Sequence, residues 1–230
     1  MTTTDPWMEA LAADRELLER TGTAERVADV LRRHLIEGRL LPGTRLSEES
    51  VGRALAVSRN TLREAFRLLV HERLLVHEFH RGVFVRTLTV DDVADLYRLR
   101  RMLETSAVRH ARTADSETIA TVVRAVEEGE QASLRQDWQE VGTANMRFHQ
   151  AIAALACSRR VDEIMRQLLA ELRLAFHAMS RPQDFHGPYL GVNRVIADLL
   201  TAGEYDQAER RLDEYFDTAS TQLVRAYEQL

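Results

Sequence analysis

The sequence predicts a mainly α-helical protein in two parts: three helices closed by a β-hairpin, then an all-helical antiparallel bundle. Three observations carry this expectation. Apolar residues recur at helical spacing over most of the 230 residues. Strand character is confined to Leu74-Leu75-Val76 and Val83-Phe84-Val85, separated by His80-Arg81-Gly82 with glycine in the turn. Thr89-Val90-Asp91-Asp92 then opens a new helix, with a threonine and an acid at capping-box spacing and acids suited to the helix dipole.

Residues 1–20 form an N-terminal arm, either a short amphipathic helix around Leu11, Leu17 and Leu18 or a frayed segment. From Thr23 to Glu37 the stripe Val27, Val30, Leu31, Leu35 marks a first helix, which Gly38 and Pro42-Gly43 end with turn chemistry. Ser47 caps a second helix from Glu48 to Leu55, and Ser58 caps a third from Arg59 to about Glu72. Residues 21–88 therefore hold three helices and a hairpin in winged helix-turn-helix order. Residues 89–230 hold helices only, over about 91–112, 116–134, 137–157, 160–180, 189–202 and 205–229. Short connections favour antiparallel neighbours; the longest expected loop runs from Arg181 to Pro188.

Composition sets limits. Hydrophobic residues are 45% of the chain and charged ones 29%, as in a globular protein with a real core. No apolar run reaches the roughly 18 residues of a membrane span, and Met1 to Pro6 shows no secretion signal, so a cytoplasmic protein is expected. Cys157 is the only cysteine, which excludes an internal disulfide and a multi-cysteine zinc site; near a helix end it reads as a small core residue. The net charge of −5 is unevenly spread. Residues 21–88 carry 12 arginines against 8 acids, a net of +4, whereas the remainder carries 19 against 28, a net of −9. A basic module joined to an acidic one is expected when only one part meets phosphate.

The third helix begins Ser58-Arg59-Asn60-Thr61-Leu62-Arg63-Glu64. Arg59 and Arg63, four apart, share a face opposite Leu62, Phe66, Leu69 and Val70. Arginine can grip guanine O6 and N7 or hold phosphate, and short polar neighbours allow close approach to DNA. From spacing alone, a solvated helix with arginines on its wet face reads equally well. Residues 46–86, however, resemble the reader domain of the GntR family of bacterial regulators. The family's V-S-R-x-x-x-R-E-A stretch stands complete at 57–65, and the wing ends in Arg81-Gly82 and an apolar run. The resemblance implies DNA contacts from Ser58, Arg59, Asn60, Thr61 and Arg63, and a wing tip of Arg81 and Gly82 entering the minor groove. Asn60 stands where many relatives have threonine, and no contact is assigned to Glu49.

The helical part is similar to the FCD-type effector domain of the FadR subfamily. The signs are Arg100-Arg101-Met102-Leu103-Glu104, Arg147-Phe148-His149 and Ala202-Gly203-Glu204-Tyr205-Asp206-Gln207-Ala208. Many relatives hold a divalent metal there with one aspartate and three histidines. The resembling positions are Asn145, His149, Asn193 and Tyr215, which keep one good ligand, so no metal is expected. These four residues still fall on apolar helix stripes and need partners, from each other, water or a ligand. Arg100 is carried over as an anion partner, or forms an internal ion pair with Glu104. His186, in the expected loop, reads as a surface residue.

The expected function is a ligand-responsive regulator without catalytic activity or cofactor. It would bind double-stranded operator DNA as a homodimer and be released by a small organic acid or related metabolite. Two other classes stand beside it: an all-α enzyme or hydrolase with an accessory DNA-binding-like domain, and an architectural DNA binder with a purely structural bundle. No nucleophile–base motif or phosphate-binding glycine loop favours the enzyme.

Overall fold

The computed structural model describes residues 24–177 and 182–229; the expected arm at 1–20 lies outside the described residues. The chain divides into two compact units, one built from residues 24–88 with 173–177 and the other from the rest.

The first unit starts with α1 (Ala24–Ile36), which buries Val27, Val30, Leu31 and Leu35 along one face. A two-residue strand β1 (Arg45–Leu46) follows, then α2 (Glu48–Leu55) and α3 (Arg59–His71). Ser47 caps α2 by accepting from the Ser50 N–H, and α2 ends on Ala56 in the left-handed conformation (φ 53°). Val57 N–H then bonds back to Gly52 O at 3.1 Å, completing the turn between the helices. Buried Leu62, Ala65, Phe66 and Leu69 bind α3 to this core; burial of each large apolar side chain contributes about 1.5–3 kcal/mol. Arg32 of α1 forks onto Glu72, Nε at 2.8 Å and Nη2 at 2.6 Å, and fixes the far end of α3. Also within this unit, Arg173 donates to Ile36 O at 2.8 Å and His177 Nε2 lies 3.0 Å from Leu35 O, satisfying the last carbonyls of α1.

Strands β2 (Leu75–Glu78) and β3 (Gly82–Val85) form the hairpin, and β1 completes an antiparallel sheet of order β1-β3-β2. The register pairs Leu75 with Val85 and Glu78 with Gly82, while Arg45 opposes Phe84 on the other side. The loop is Phe79-His80-Arg81, so Gly82 opens β3 instead of sitting in the turn. His80 takes the left-handed conformation (φ 60°), and Gly82 has φ 108°, where a side chain would be strained.

The second unit contains α4 (Val90–His110), a 3₁₀ turn (Ala111–Thr113), α5 (Ser116–Leu134), α6 (Trp138–Ala154), α7 (Arg159–His177, of which the last turn belongs to the first unit), α8 (Pro182–Thr201) and α9 (Tyr205–Tyr227). The capping box at the start of α4 is complete: Thr89 N–H donates to Asp92 at 2.9 Å, and Asp92 N–H donates to Thr89 Oγ1 at 3.1 Å. Asp115 and Asp137 cap α5 and α6. Helix α4 packs on α9 and α6, and α8 packs on α5, α6 and α9. Arg101 bonds Asp213 and Asp217, Arg109 bonds Glu209, and Arg112 bonds Asp206, a ladder that runs up α4 and down α9 and so fixes them antiparallel.

Three further expectations are corrected. Arg181–Pro188 is not a loop; α8 starts at Pro182 and continues through Pro188. Proline is tolerated at a helix start but inside a helix removes the bond to residue i−4. Here the carbonyl left without its ladder partner, Asp184 O, accepts from Gln222 Nε2 of α9 at 3.2 Å. Phe185 and Tyr189, one turn apart with centroids 5.6 Å apart, are both buried by the continued helix. His186 is thereby buried as well and is not a surface residue. Cys157 is exposed, with φ 50°, because the chain turns left-handed just after α6.

Candidate functional site

The N-terminal turn of α3 is the exposed face of the first unit. Ser58, Arg59, Asn60 and Arg63 are exposed and Thr61 is half-buried. Ser58 Oγ accepts from the Thr61 N–H at 3.1 Å and lies 2.8 Å from Thr61 Oγ1, so the two hydroxyls hold each other while capping the helix. Arg59 makes no hydrogen bond or ion pair among the described residues, whereas Arg63 Nε donates to both carboxylate oxygens of Glu48, at 3.1 and 3.0 Å. At the wing, Arg81 pairs with Glu78 and its guanidinium lies 5.3 Å from the centroid of Phe84. Next to it, Phe79 is 81% exposed. Arginines, a helix N-terminus and a protruding hairpin on one unit suit an anionic, grooved partner. The sequence reading missed Glu48 and Phe79. A signal for Glu48 existed, an acid in the first turn of α2, but its reach to α3 depends on the fold of the turn between them.

In the second unit the fold gathers Arg100, Asn145, His149, Asn193 and Tyr215 from four helices into one buried cluster, with Glu104 at its centre. Arg100 Nε donates to Glu104 Oε1 at 3.0 Å, with both side chains at most 1% exposed. The Arg100 guanidinium also lies 5.2 Å from the ring of Tyr97 and 5.3 Å from that of Phe216. His149 Nδ1 lies 2.6 Å from Glu104 Oε2, and its Nε2 lies 2.9 Å from Tyr215 Oη. Asn193 Nδ2 donates to Asn145 Oδ1 at 2.8 Å. Of the two roles open to Arg100, the internal ion pair is the one formed.

Burial holds the His149 pKa below its ordinary value, assisted by the Arg100 charge and opposed by Glu104. Burial likewise pushes the Tyr215 hydroxyl well up. A neutral imidazole with a carboxylate at Nδ1 carries its proton there, so Nε2 accepts from the Tyr215 O–H. The two bonds from Tyr215 through His149 thus both point toward Glu104. Arg100 experiences burial against its charge, but Glu104 and the neighbouring phenols outweigh it and raise its pKa. Three atoms end without a partner among the described residues: Arg100 Nη2, Tyr97 Oη and Asn193 Oδ1.

These residues do not fit a divalent metal. Both nitrogens of His149 are engaged, and the other resembling positions supply two amides and a protonated phenol, none of them anionic. Among the described residues no group of three or more histidine, cysteine or acidic side chains forms a metal site. No described helix is long and apolar enough to cross a membrane.

The fold and its exposed third helix define a winged helix-turn-helix protein with a helical C-terminal domain. The profile of the gntR family of bacterial regulatory proteins matches residues 23–85, and that of the FCD domain matches residues 95–218. The chain belongs to the gntR family of bacterial regulatory proteins, with an FCD domain as its C-terminal part. The crystal structure of a transcriptional regulator described as GntR from Rhodococcus sp. RHA1 is 43% identical, with a TM-score of 0.84, covering 89% of this chain and 98% of that one. The Nta operon transcriptional regulator of Aminobacter aminovorans is 32% identical over 161 residues, 68% of this chain and 75% of that protein. The gluconate operon transcriptional repressor of Bacillus subtilis is 30% identical over 136 residues, 59% of this chain; the chain spans just over half, 56%, of that repressor's length.

Proposed function

We propose that this chain is a ligand-responsive transcription regulator acting in the cytoplasm, without catalytic activity of its own. As a homodimer it binds double-stranded operator DNA and is released by a small polar metabolite, foremost an organic acid. The observation that carries the DNA reading is the capped, exposed turn Ser58 to Arg63 on a chain of the gntR family. Ser58, Arg59, Asn60, Thr61 and Arg63 approach base edges and phosphates in the major groove, and Arg81 and Gly82 enter the minor groove. One such unit covers a half-site, so two copies read half-sites about one helical turn apart.

For the effector, support comes from the buried cluster Arg100, Asn145, His149, Asn193 and Tyr215. Its two ends present opposite chemistry: Arg100 Nη2 is a donor and Asn193 Oδ1 an acceptor, each without a protein partner among the described residues. A ligand with a carboxylate or carbonyl at one end and a hydroxyl or amine at the other satisfies both without a bridging metal. A second reading, a closed polar core that takes no ligand, is favoured by the hydrogen bonds that already join Asn193 to Asn145 and Tyr215 through His149 to Glu104. The test is to select DNA from a random pool with the purified protein, then screen metabolites for release of that DNA and for thermal stabilisation. Release by organic acids, weakened in Arg100→Ala and Asn193→Ala, is expected. DNA binding that no metabolite changes would leave the closed core as the better reading, and failure to select any DNA would refute the proposal as a whole.

A further inference from the structure

We infer that Glu48 is a positioning residue that sets how Arg63 presents itself to a base. This rests on the proposal that α3 reads DNA and goes beyond it by assigning a role to a residue of another helix. Glu48 is the first residue of α2, directly after the Ser47 cap, where the helix dipole favours its charge. Its two oxygens straddle Arg63 Nε at 3.1 and 3.0 Å. The guanidinium is therefore held by its Nε edge, and both Nη groups remain available at the tip of the fork.

The consequence is geometric. An arginine can engage guanine O6 and N7 either end-on, through its two Nη groups, or side-on, through Nε and one Nη. With Nε occupied, only the end-on approach is open, and its direction is fixed by the junction of α2 and α3. The side chain stays 57% exposed and lines an open groove with Phe66 and Val83 beside it. Other exposed arginine–carboxylate pairs of this unit, Arg53–Glu49, Arg67–Glu64 and Arg81–Glu78, are made through Nη and consume part of the fork. Arg59 has no carboxylate partner among the described residues. A pinned arginine suits base discrimination and a free one suits phosphate, because discrimination needs orientation while a point charge does not. Glu48 also lowers the net positive charge of the reading surface, which weakens sequence-independent attraction.

The experiment measures affinities of wild type, Glu48→Gln, Arg63→Ala, Arg59→Ala and the Glu48→Gln/Arg63→Ala double variant. The probes are the pool-selected DNA and a set of duplexes with each guanine replaced in turn. Glu48→Gln is expected to lose on the order of tenfold discrimination at the same guanine that Arg63→Ala ceases to read, with an unchanged melting temperature. In the Arg63→Ala background it should change nothing further. Arg59→Ala should weaken all sequences alike and lower the salt dependence by about one counterion. Full discrimination by Glu48→Gln, with Arg63→Ala impaired, would overturn the role of Glu48 alone. A uniform loss across all sequences with a lower melting temperature would reduce Glu48 to a support of α2. Unimpaired binding by Arg63→Ala would instead sink the reading of α3, and this inference with it.

Discussion

Two arginine–glutamate pairs, one in each unit, share an Nε to carboxylate bond of 3.0 Å and differ in almost everything else. Arg63–Glu48 joins two helices at the surface, with water around both partners. Arg100–Glu104 lies one turn apart on α4 with no exposure to speak of. At the surface, water screens the charges, so such a pair contributes little stability and is free to exchange one partner for an incoming anion or base. In the core, neither charge has water to return to, and each holds the other in place at a cost already incurred on folding. The same two side chains thus serve as an exchangeable contact in one setting and a fixed one in the other.

The largest effect should come from breaking the buried pair. Glu104→Ala leaves Arg100 and His149 without their shared acceptor and is expected to cost about 3–5 kcal/mol, read from a urea unfolding midpoint. Replacing both charges, as Arg100→Met with Glu104→Leu, should recover most of that loss; a double variant as unstable as the single one would show that the cost lies in packing and not in charge. Next in size are Arg59→Ala and Arg63→Ala, each expected to weaken DNA binding by about 1–3 kcal/mol while moving stability by less than about 0.5 kcal/mol. A melting temperature that falls as steeply as the affinity would erase the distinction between the two settings.

A third expectation concerns pH. His149 has a folded-state pKa below the ordinary 6.5, so below pH 6.5 the unfolded chain takes up a proton that the folded core refuses. Stability should therefore decline as pH drops from 6.5 toward the depressed value, and above 6.5 this residue should add no pH dependence. Thermal unfolding of wild type and His149→Gln at pH 7.5 and 5.5 tests this, the variant being expected to lose less on acidification. The smallest effect belongs to Arg53–Glu49, exposed on both sides. Glu49→Ala should cost about 0.3–0.5 kcal/mol at low salt and less at high salt.

Much of the architecture was legible because it is local. The stripes Val27-Val30-Leu31-Leu35 and Leu62-Phe66-Leu69, the caps Ser47 and Ser58, and the Thr89–Asp92 box each depend on residues within one or two turns. What was missed depends on distant partners. Two prolines within seven residues read as a loop, and only Gln222 of α9 explains how α8 tolerates the second of them. The two-residue β1 is too short to show periodicity and exists because β3 offers it an edge. In the cluster, the resemblance pointed to the five positions, but the spacing of Arg100 and Glu104 left open whether their bond would form. The place of Glu104 against His149 is set by the packing of α4 on α6, which no pattern within either helix records.

The hydrogen bonds from Tyr215 through His149 to Glu104 carry a sense of direction. Each donor faces the carboxylate, so the imidazole of His149 acts simultaneously as acceptor from the phenol and donor to Glu104. The imidazole cannot exchange its tautomer alone without setting like groups against each other, donor against donor at Tyr215 and acceptor against acceptor at Glu104. The two bonds are therefore either aligned as they are, or reversed together with the His149 tautomer exchanged. Reversal would aim the imidazole lone pair at the Glu104 carboxylate, so the resting setting is strongly preferred. The Tyr215 hydroxyl spends its only proton on His149, so what it offers the rest of the cluster is an oxygen lone pair, which favours a donor there.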